Sequence, residues 1–576
     1  MAATEQKRFV LRLRILSGIF VTLAILLIVR LYFIQIVHGA EYSHDAMGQY
    51  VESSPDTAPR GNIFFTDKTG TLVAAAVMQN GWRLAIVPKD ITDPNALYAT
   101  LNAETPIDHD RFFASVAKKL DPYEEIAFHV SDDAGISIRK KKLPGVILAQ
   151  DQWRFYPGHD LAAQAIGFVG YQGDVKTGVY GLERSWNDTL VEHSSGRDLN
   201  AFAELFASAE AVLSTDPSTH QGSIITSIEP TVQQELEITL DGVMKIYTPK
   251  LAGGIIMNPH TGEIIALGQR PSFDANAYGQ VADHTVFSNK LVEGRYEMGS
   301  IMKPLTMAAG IDSGAIKPTT TYNDMGCVER SGKKICNYDG KARHVVPMQE
   351  ILSQSLNLGV TFIEETIGHA LFSKYFHNYG LGLRTGIDLP NEAIGNLGAI
   401  ERGSDSDVDY ATASFGQGIA VSPVEMIRAL SALANSGVLP SPHVVTGIRY
   451  ASGATRSITV PEGPAVLSAT STEIVSDMLV TVVDKALLKG VLKQDHYSIA
   501  AKTGTAQIAI PGGGGYYDDR YLHSFFGYFP AHDPKFIIFL YAVEPHGAEF
   551  ASASLAHPFM DIAQYLINYY QIAPDR

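Results

Sequence analysis

Cysteine is scarce in this 576-residue chain, which has only two, Cys327 and Cys336. Two cysteines are too few for a disulfide-dense mini-scaffold or for a zinc site built from several thiolates. Basic residues are also in the minority, with 45 Lys and Arg against 61 Asp and Glu and a net charge of −16. Because a polyanionic partner needs a basic surface, this balance argues against a nucleic-acid partner.

Internal repeats are absent, and the one glycine run, in residues 511–517, is typical of a flexible loop between two strands. What the sequence does have is apolar residues, at 45% of the chain. A chain of this length and composition can bury large cores and is expected to form more than one domain.

One long apolar run lies near the N-terminus. Basic residues precede the uncharged stretch 15–29, and the apolar run resumes after Arg30. A span of about 20 apolar residues crosses a bilayer as a helix, and its basic flank stays in the cytoplasm. A cleaved signal peptide would have a shorter apolar region and a small-residue cleavage site. We therefore predict a cytoplasmic tail over 1–14, a transmembrane anchor over 15–37, and the rest of the chain outside the cytoplasmic membrane.

This placement bears on the two cysteines, which enclose a short polar loop. Disulfides persist outside the cytoplasm. A bridge between Cys327 and Cys336 would stabilise the fold by about 2–3 kcal/mol on a chain-entropy estimate. The sequence leaves open whether they form this disulfide or stay as two free thiols.

The outer part of the chain divides into two regions by its residue patterns. Residues 41–221 hold short strand-like runs and turns, and we predict that they form a mixed pedestal, a dimerisation-like domain. A strand and a helix over 231–247 open the second region, and a hairpin with its turn at 258–262 follows. Helical runs come next, then three strands and a last helix. This order predicts an α+β domain over 222–576 whose last strands and helix rejoin the opening hairpin.

Ser-x-x-Lys occurs at 137–140, 300–303 and 331–334, and also at 115–118. Only Ser300 follows a turn and begins an apolar helical run. Residues three apart share one helix face, so the Lys303 amine can reach the Ser300 hydroxyl. A lysine acts as the base for a serine nucleophile when burial or a nearby cation lowers its pKa. The alternative is a serine that caps a helix, followed by a solvated lysine.

A Ser-x-Asn element lies in the apolar run "ILSQSLNLGV", as Ser355 and Asn357. Polar groups in such surroundings need hydrogen-bond partners. They are either a satisfied core pair or part of a catalytic site. In the second case Ser355 relays a proton, and Asn357 contacts Lys303 and the amide of a substrate.

The tetrapeptide Lys-Thr-Gly-Thr occurs twice, at 68–71 and at 502–505. The first copy is predicted to be the turn of a short hairpin. The second lies in a long strand-like segment downstream of both other elements. The ordered set Ser-x-x-Lys, Ser-x-Asn and Lys-Thr-Gly is far more specific than any of its members, which favours the second copy as the functional one.

Each residue of the second copy has a predicted role. Lys502 supplies a positive charge for a substrate carboxylate and lowers the pKa of Lys303. A hydroxyl from Thr503 or Thr505 binds the same carboxylate, and Gly504 lets the backbone of a ligand approach closely. We expect the three segments to meet in one cleft, with two ammonium groups beside the Ser300 hydroxyl.

With these motifs in order, the sequence resembles a class B penicillin-binding protein, a monofunctional peptidoglycan D,D-transpeptidase, over nearly its whole length. Further segments carry the likeness, namely "RGNIFFTDKTG", "RFYPGHDLAAQAIGFVG", "GLERSWNDTL", "YEMGSIMKP", "TGIDLPNEAIG", "FGQGIAVSPVEM" and "SFFGYFP". The resemblance implies a penicillin-binding or serine β-lactamase-like domain with an antiparallel sheet and helices. It implies no cofactor and no metal ion.

The resemblance also implies a reaction in the cell wall. Ser300 would attack the D-Ala-D-Ala carbonyl of a stem peptide to form an acyl-enzyme, with Lys303 as general base and Ser355 protonating the leaving amine. Backbone N–H groups of Ser300 and Thr505 would form the oxyanion hole. An amine of a second stem peptide would then take the acyl group. β-Lactam antibiotics would acylate Ser300. The implied protein partners are a multi-spanning glycosyltransferase and other division or elongation proteins.

Other functions are compatible with the same motifs. A serine β-lactamase or a D,D-carboxypeptidase shares them, and "NEAIGN" at 391–396 superficially offers, from Glu392 to Asn396, the Glu-x-x-x-Asn of a hydrolase, although the segment is more typical of a structural loop. A penicillin-binding sensor or scaffold without turnover is a further alternative. Such a protein would be expected to have lost Ser300, Lys303 or Lys502, and all three are present.

Overall fold

The computed structural model describes residues 60–173, 175–191, 221–401, 406–450 and 452–576, together with the single positions 27 and 30. The predicted tail over 1–14 lies outside the described residues, and so does the predicted anchor over 15–37 apart from those two positions. No helix within the described part of the chain is long and apolar enough to cross a bilayer.

The strands are labelled in chain order. They are β1 Ile63–Thr66, β2 Leu72–Ile86, β3 Glu124–Val130, β4 Val146–Phe155, β5 Val169–Gln172, β6 Val175–Gly178, β7 Gly222–Thr226, β8 Leu251–Met257, β9 Ile264–Arg270, β10 Thr321–Asp324, β11 Cys327–Arg330, β12 Lys333–Cys336, β13 His344–Pro347, β14 Val445–Tyr450, β15 Thr455–Ser457, β16 Ala500–Ala509, β17 Tyr516–Phe529 and β18 Phe536–Val543.

The α-helices are labelled in the same way. They are α1 Pro94–Asn102, α2 His109–Ala117, α3 Asp132–Lys141, α4 Ala163–Ile166, α5 Gly181–Ser185, α6 Asn187–Leu190, α7 Pro230–Tyr247, α8 Lys290–Glu293, α9 Lys303–Asp312, α10 Met348–Ser353, α11 Asn357–Ile367, α12 His369–Asn378, α13 Gly398–Glu401, α14 Asp407–Ala413, α15 Pro423–Ala434, α16 Ala469–Thr481, α17 Ala551–Ser554 and α18 Ala556–Tyr570. Shorter 3-10 turns cover Pro88–Asp90, Ala275–Gln280, His284–Phe287, Gly299–Met302 and Leu487–Gly490, and a π-helical turn covers Val482–Ala486.

The described residues divide into two compact units, one within 78–153 and the other within 60–77 and 154–576. This division differs from the two outer domains predicted from the sequence. The predicted boundary between 221 and 222 borders the stretch 192–220, which lies outside the described residues. The predicted domain limits therefore stay predictions.

The first unit is a small layered structure. The later part of β2 pairs with β3 and β4, and α1, α2 and α3 belong to the same unit. Asp93, Asp108 and Ser131 cap the three helices by accepting a hydrogen bond from a backbone N–H in the first turn. The basic run "RKKK" supplies the last turn of α3, where positive charge complements the helix dipole.

The second unit is built around an antiparallel sheet with the strand order β16-β17-β18-β8-β9. Both faces of the sheet are covered, because side-chain atoms lie close to its backbone on each side. At Gly254 these atoms include Leu236 of α7, and at the neighbouring Gly253 they include Leu291 of α8. Successive strand residues point to opposite faces. β18 is consequently buried along nearly its whole length, which explains its unbroken apolar sequence.

This arrangement confirms the predicted α+β architecture. The opening helix, α7, begins one residue before the predicted start, and the predicted turn at 258–262 joins β8 to β9. The C-terminal strands pair with β8 as expected, because β18 lies between β17 and β8. Only the tertiary fold brings the two ends of this domain together.

Three of the segments that carry the family likeness meet in a buried ion cluster of the second unit. The carboxylate of Glu183 accepts hydrogen bonds at 2.6 Å from Nε of Arg60 and at 2.6 Å from Nε of Arg154. Arg60 also binds the side chain of Asn187, and Arg154 binds the carbonyl of Gly61. A buried carboxylate with two guanidinium partners is well compensated, whereas loss of one partner leaves an unpaired buried charge.

One predicted helix is interrupted. Residues 348–368, one of the helical runs expected in the second region, form two helices, α10 and α11, with a break at residues 354–356. Ser355 in this break has a left-handed backbone, with φ of 55°. The interruption lies at the Ser-x-Asn element and shapes the candidate site.

Candidate active site

Ser300 lies in the 3-10 turn that leads directly into α9. The backbone N–H of Lys303 donates to the carbonyl of Ser300, which closes the turn. Side chains three residues apart eclipse one another in 3-10 geometry, so Ser300 and Lys303 project from the same side. Ser300 is half-buried. Among the described residues, none of the hydrogen bonds that involve a side chain uses its hydroxyl, which therefore stays available to a substrate.

The turn is held tightly against β16. Gly299 has a φ of 62°, and a Cβ there would lie 3.1 Å from both the Thr505 carbonyl oxygen and the Ala506 Cβ. Only glycine meets both demands without strain. The carbonyl of Met298 accepts a hydrogen bond of 2.9 Å from the Ser524 hydroxyl of β17. The position of Ser300 is thus determined by contacts with β16 and β17 as well as by helix α9.

Lys303 is completely buried, with 0% of its surface exposed. Its amine is within hydrogen-bond distance of the Ser355 carbonyl at 2.6 Å, Asn357 Oδ1 at 2.8 Å and the Ser355 hydroxyl at 3.2 Å. Burial, and secondly the charge of Lys502, hold the pKa of Lys303 well below its usual range. The alternative of a solvated lysine one turn after a cap is therefore wrong for this residue.

The break between α10 and α11 explains how Ser355 contacts Lys303 twice. Its left-handed backbone directs both the carbonyl oxygen and the hydroxyl to one amine. A serine pays strain for this conformation, and such strain is typically found at functional sites. Helical periodicity in the sequence could not reveal it.

Lys502 lies on β16 and is 2% exposed. Its amine donates to the Ser355 hydroxyl at 3.1 Å and to the Thr503 carbonyl at 3.0 Å. Burial lowers the pKa of Lys502 to about 7. The hydroxyl that both lysines contact is that of Ser355, whereas the sequence led us to expect Ser300.

β16 forms the edge of the sheet, since it pairs only with β17 among the described strands. The carbonyl of Thr505 faces the Ser300 turn. In a strand, the N–H and C=O of one residue point to the same edge, so the Thr505 N–H faces that turn as well. An open edge here can pair with an extended peptide.

The structure explains the glycine at position 504 by packing within the protein, whereas the sequence led us to expect the close approach of a ligand. A Cβ at this position would lie 2.4 Å from the Ser524 hydroxyl and 2.7 Å from the Met298 carbonyl. Glycine is thus required at position 504 by packing against the 3-10 turn Gly299–Met302. The neighbouring Thr503 and Thr505 are half-buried, and the Thr505 hydroxyl accepts a hydrogen bond from the N–H of Ala551 at 3.1 Å.

Asn357 connects Lys303 to a disulfide-bonded hairpin. Its Nδ2 donates to the carbonyl of Cys336 at 2.9 Å while its Oδ1 binds Lys303. Cys336 forms a disulfide with Cys327 across the β11–β12 hairpin. The structure therefore contains the bridge that the sequence left open, and it lies directly behind Asn357.

The other copies of each motif lie elsewhere in the fold. Residues 68–71 lie at the exposed turn between β1 and β2, where the carboxylate of Asp67 binds the backbone N–H groups of Thr69 and Thr71. The carboxylate of Glu392 accepts from the backbone and hydroxyl of Thr385 and from the N–H of Gly386. Glu392 is thus occupied in its own loop, in agreement with the structural interpretation.

Among the described residues, no group of three or more His, Cys, Asp or Glu side chains is arranged to hold a metal ion. The polar groups that converge on the Ser300 turn are amines, hydroxyls and an amide. This set suits nucleophilic and proton-transfer chemistry at a carbonyl.

Comparison with known proteins agrees with the geometry. Residues 252–563, more than half of the chain, match the penicillin-binding protein transpeptidase domain, and residues 55–201 match the penicillin-binding protein dimerisation domain. The chain belongs to the class B penicillin-binding proteins. The stage V sporulation protein D of Bacillus subtilis is 26% identical over 538 residues, covering 92% of this chain and 81% of that protein.

A further relative of this penicillin-binding protein agrees with the family assignment, and two solved structures agree with the fold. The probable peptidoglycan D,D-transpeptidase FtsI of Caulobacter vibrioides is 28% identical, over 85% of this chain and 76% of its own. The crystal structure of penicillin-binding protein 2X from Streptococcus thermophilus covers 90% of this chain and 81% of its own, with a TM-score of 0.71 at 21% identity. A Mycobacterium tuberculosis penicillin-binding protein 3 structure complexed with aztreonam has a TM-score of 0.68 at 20% identity, over 90% of this chain and 98% of its own.

Sequence reasoning missed several residues that hold this penicillin-binding site together. Ser524 binds the carbonyl that precedes the nucleophile turn, and Cys336 and Asn337 bind the start of α11. Ser524 lies within the quoted "SFFGYFP" segment, so a weak signal was present. Nothing local marks Asn337, because its partner is 21 residues away in sequence.

Proposed function

We propose that Ser300 is the nucleophile of this peptidoglycan D,D-transpeptidase and that Lys303 is its general base. The observation that carries the proposal is the fully buried Lys303 amine, three residues after the serine and held by Ser355 and Asn357. The depressed pKa favours the neutral form of this amine. Its two N–H bonds then point to the Ser355 carbonyl and Asn357 Oδ1, which leaves the lone pair to accept the hydroxyl proton of Ser300.

The first half-reaction is acylation by a stem peptide. As Lys303 takes its proton, the Ser300 oxygen attacks the D-Ala-D-Ala carbonyl, and the N–H groups of Ser300 and Thr505 stabilise the oxyanion. The peptide bond then breaks, and the leaving D-Ala amine receives a proton through the Ser355 hydroxyl. Ser355 suits this relay because both Lys303 and Lys502 contact it.

The second half-reaction transfers the acyl group to the amine of a neighbouring stem peptide. The acceptor amine loses a proton to the Ser355–Lys303 pair and attacks the ester carbonyl. The ester bond breaks, and the Ser300 oxygen takes the proton back from Lys303, which restores the hydroxyl and the neutral amine. The new amide bond is the cross-link. Lys502 and the hydroxyls of Thr503 and Thr505 bind the terminal carboxylate of the donor, and a β-lactam carboxylate binds there in the same way.

The nucleophile assignment is tested by mass spectrometry of the full chain after exposure to benzylpenicillin. We expect one penicilloyl adduct on the wild type and none on Ser300→Ala. Ser137→Ala and Ser331→Ala are matched controls, because each removes the serine of another Ser-x-x-Lys copy, and both should be labelled normally. An adduct that survives in Ser300→Ala, or is lost in a control, would contradict the assignment.

Turnover separates the transferase from the other candidates. With a D-Ala-D-Ala donor and an amine acceptor, we expect cross-linked product and free D-Ala in equal amounts. A β-lactamase or a D,D-carboxypeptidase would produce mainly hydrolysed ligand, and a sensor would release a single equivalent. No contact among the described residues favours one of these alternatives, and the hydrogen bonds that occupy the Glu392 carboxylate argue against its use as a hydrolytic base.

The cellular setting is a proposal that rests on the sequence. Residues 15–37 are long and apolar enough to anchor the chain, with a basic flank inside and the catalytic domain outside the cytoplasmic membrane. The dimerisation-domain match over 55–201 supports a pedestal within 41–221. By family analogy the partners are a multi-spanning glycosyltransferase and division or elongation proteins. Co-purification of the full chain from membranes tests these contacts.

A further inference from the structure

Helix α11 carries Asn357 as its first residue but has no cap of its own. The residue before it, Leu356, makes no side-chain hydrogen bond to the first turn. The first N–H groups of any helix need external acceptors. One of them, the N–H of Leu358, donates to Oδ1 of Asn337 at 3.2 Å. A residue from the end of the disulfide-bonded hairpin thus performs the capping that the local sequence omits.

The residue beside Asn337 determines which way the Asn357 amide faces. Asn357 Nδ2 donates to the Cys336 carbonyl at 2.9 Å, which turns Oδ1 toward the Lys303 amine. The opposite orientation would place two acceptors together at Cys336 and two donors together at Lys303. Two consecutive hairpin residues therefore hold two consecutive residues at the start of α11.

Asn337 is itself held firmly. It is 3% exposed, and its Nδ2 lies 2.9 and 3.0 Å from the two carboxylate oxygens of Asp324. Asp324 is completely buried and also accepts from the backbone N–H groups of Gly326 and Arg343. Each oxygen of the carboxylate and the amide has a partner, so the arrangement has one favoured geometry.

We infer that Asn337 is a positioning residue of the active site: by capping the first turn of α11 it holds Asn357 where the Cys336 carbonyl can turn the amide oxygen, not the amide nitrogen, toward the general base. The inference rests on the proposed role of Lys303. Asn337 touches neither Lys303 nor Ser300 in the contacts of the described residues, and it acts through α11. The groups that face the Lys303 amine are the charged Lys502 from β16 and the uncharged Ser355 and Asn357. If Asn357 is displaced, the protonated form of Lys303 loses one of its hydrogen-bond acceptors.

The test uses the full chain and the second-order rate of acylation by a fluorescent penicillin, measured from pH 5 to 10. We expect Asn337→Ala to reduce the rate at the optimum by on the order of ten- to a hundredfold. The acid limb, which reports protonation of Lys303, is expected to move to lower pH because the charged amine has lost an acceptor. Asn337→Gln keeps the polar atoms but displaces them, and the same changes are expected.

Asn289→Ala is the matched control. Asn289 is 4% exposed and caps α8 by accepting from the N–H of Leu291 at 3.1 Å. We expect this variant to lower the thermal midpoint without moving the pH profile. If Asn337→Ala does the same, with a rate within about twofold of wild type, the positioning role is refuted and the residue is structural. Should the alanine variant fail to fold, the glutamine variant decides by the same criterion. A wild-type chain that is not acylated at all would instead refute the proposed function.

Discussion

Two lysine amines in this site need opposite protonation states. Lys303 must be neutral to accept the Ser300 proton, whereas Lys502 must be charged to bind a carboxylate. Burial lowers the pKa of both, and Lys502 adds a repulsive charge that lowers the pKa of Lys303 further. The shared contact with the Ser355 hydroxyl couples them at short range. The protonation states of Lys303 and Lys502 are therefore coupled, and in the proposed mechanism they control the activity together.

The alkaline limb of acylation by penicillin is expected to fall near pH 7, because Lys502 loses its charge as the pH rises through a pKa of about 7. In Lys502→Arg the guanidinium stays charged, so this limb should move up by at least two pH units. The rate at the optimum is expected to be lower, since an arginine does not reproduce the contact geometry of the lysine amine. Measuring the rate constant against pH for both chains checks this. An alkaline limb with the same midpoint in both would show that another group causes it.

A second residue-scale prediction concerns Glu364 in α11. It is completely buried, and neither carboxylate oxygen has a hydrogen bond among the described residues; the nearest polar partner is His369 Nε2 at 3.6 Å. Burial, aided by the charges of Glu365 and Asp407, raises its pKa to about 8. The folded state thus binds a proton that the unfolded state releases near pH 4.5. Stability should be greatest below that value and decline as the pH rises to about 8.

Glu364→Gln is expected to remove this pH dependence and to raise the stability at pH 8 by about 1–3 kcal/mol, because a neutral amide replaces a buried carboxylate. Denaturant unfolding at pH 5 and pH 8 measures it. Glu473→Gln is the control: its side chain is exposed on α16 and its charge is not among those that act on Glu364, so the difference between the two pH values should stay as in the wild type. An unchanged pH dependence in Glu364→Gln would contradict the prediction.

At the scale of elements, the β11–β12 hairpin and the start of α11 form the back of the site. The hairpin is closed by the Cys327–Cys336 bridge and contributes the Cys336 carbonyl to Asn357. β16 forms the opposite wall and contributes Lys502 and the Thr505 N–H edge. Each motif is thus held by an element that is distant in sequence.

Removing the bridge by Cys327→Ser and Cys336→Ser together is expected to lower the free energy of unfolding by about 2–3 kcal/mol, since the unfolded chain gains entropy. Chemical unfolding of the oxidised wild type and the double variant measures the change. Reductant should destabilise the wild type to a similar degree and leave the double variant unaffected. Equal stability of wild type and variant would indicate that the bridge contributes nothing.

At the scale of the whole molecule, the proposed anchor is expected to determine where the protein is located without affecting the rate of acylation. Deleting residues 1–40 is expected to move the protein from the membrane pellet to the soluble fraction. The rate of penicillin acylation should stay within about twofold, because every group of the site comes from residues 300–505. Fractionation and the acylation assay on both chains check this. A truncated chain that still pellets with membranes would contradict the anchor assignment.

Several parts of the fold follow from local patterns. The periodicity of residues 231–247 predicted α7, and the turn chemistry at 258–262 predicted the β8–β9 hairpin. Strand-like runs near the C-terminus predicted β16 to β18. These elements are determined by contacts between near neighbours, so a single sequence is enough. The break at Ser355 was not predicted, because its left-handed backbone is stabilised by Lys303, which is distant along the chain.

The sequence by itself determined which groups are available for chemistry: a serine and a lysine on one helical turn, a Ser-x-Asn pair, and one Lys-Thr-Gly that lies in a strand. Only the tertiary structure decided which hydroxyl the two amines share, why Gly504 has no side chain, and that Asn337 lies behind Asn357. The physical reason is that hydrogen bonds and steric contacts depend on distances in space. Residue spacing sets those distances within one turn, and chain folding sets them everywhere else.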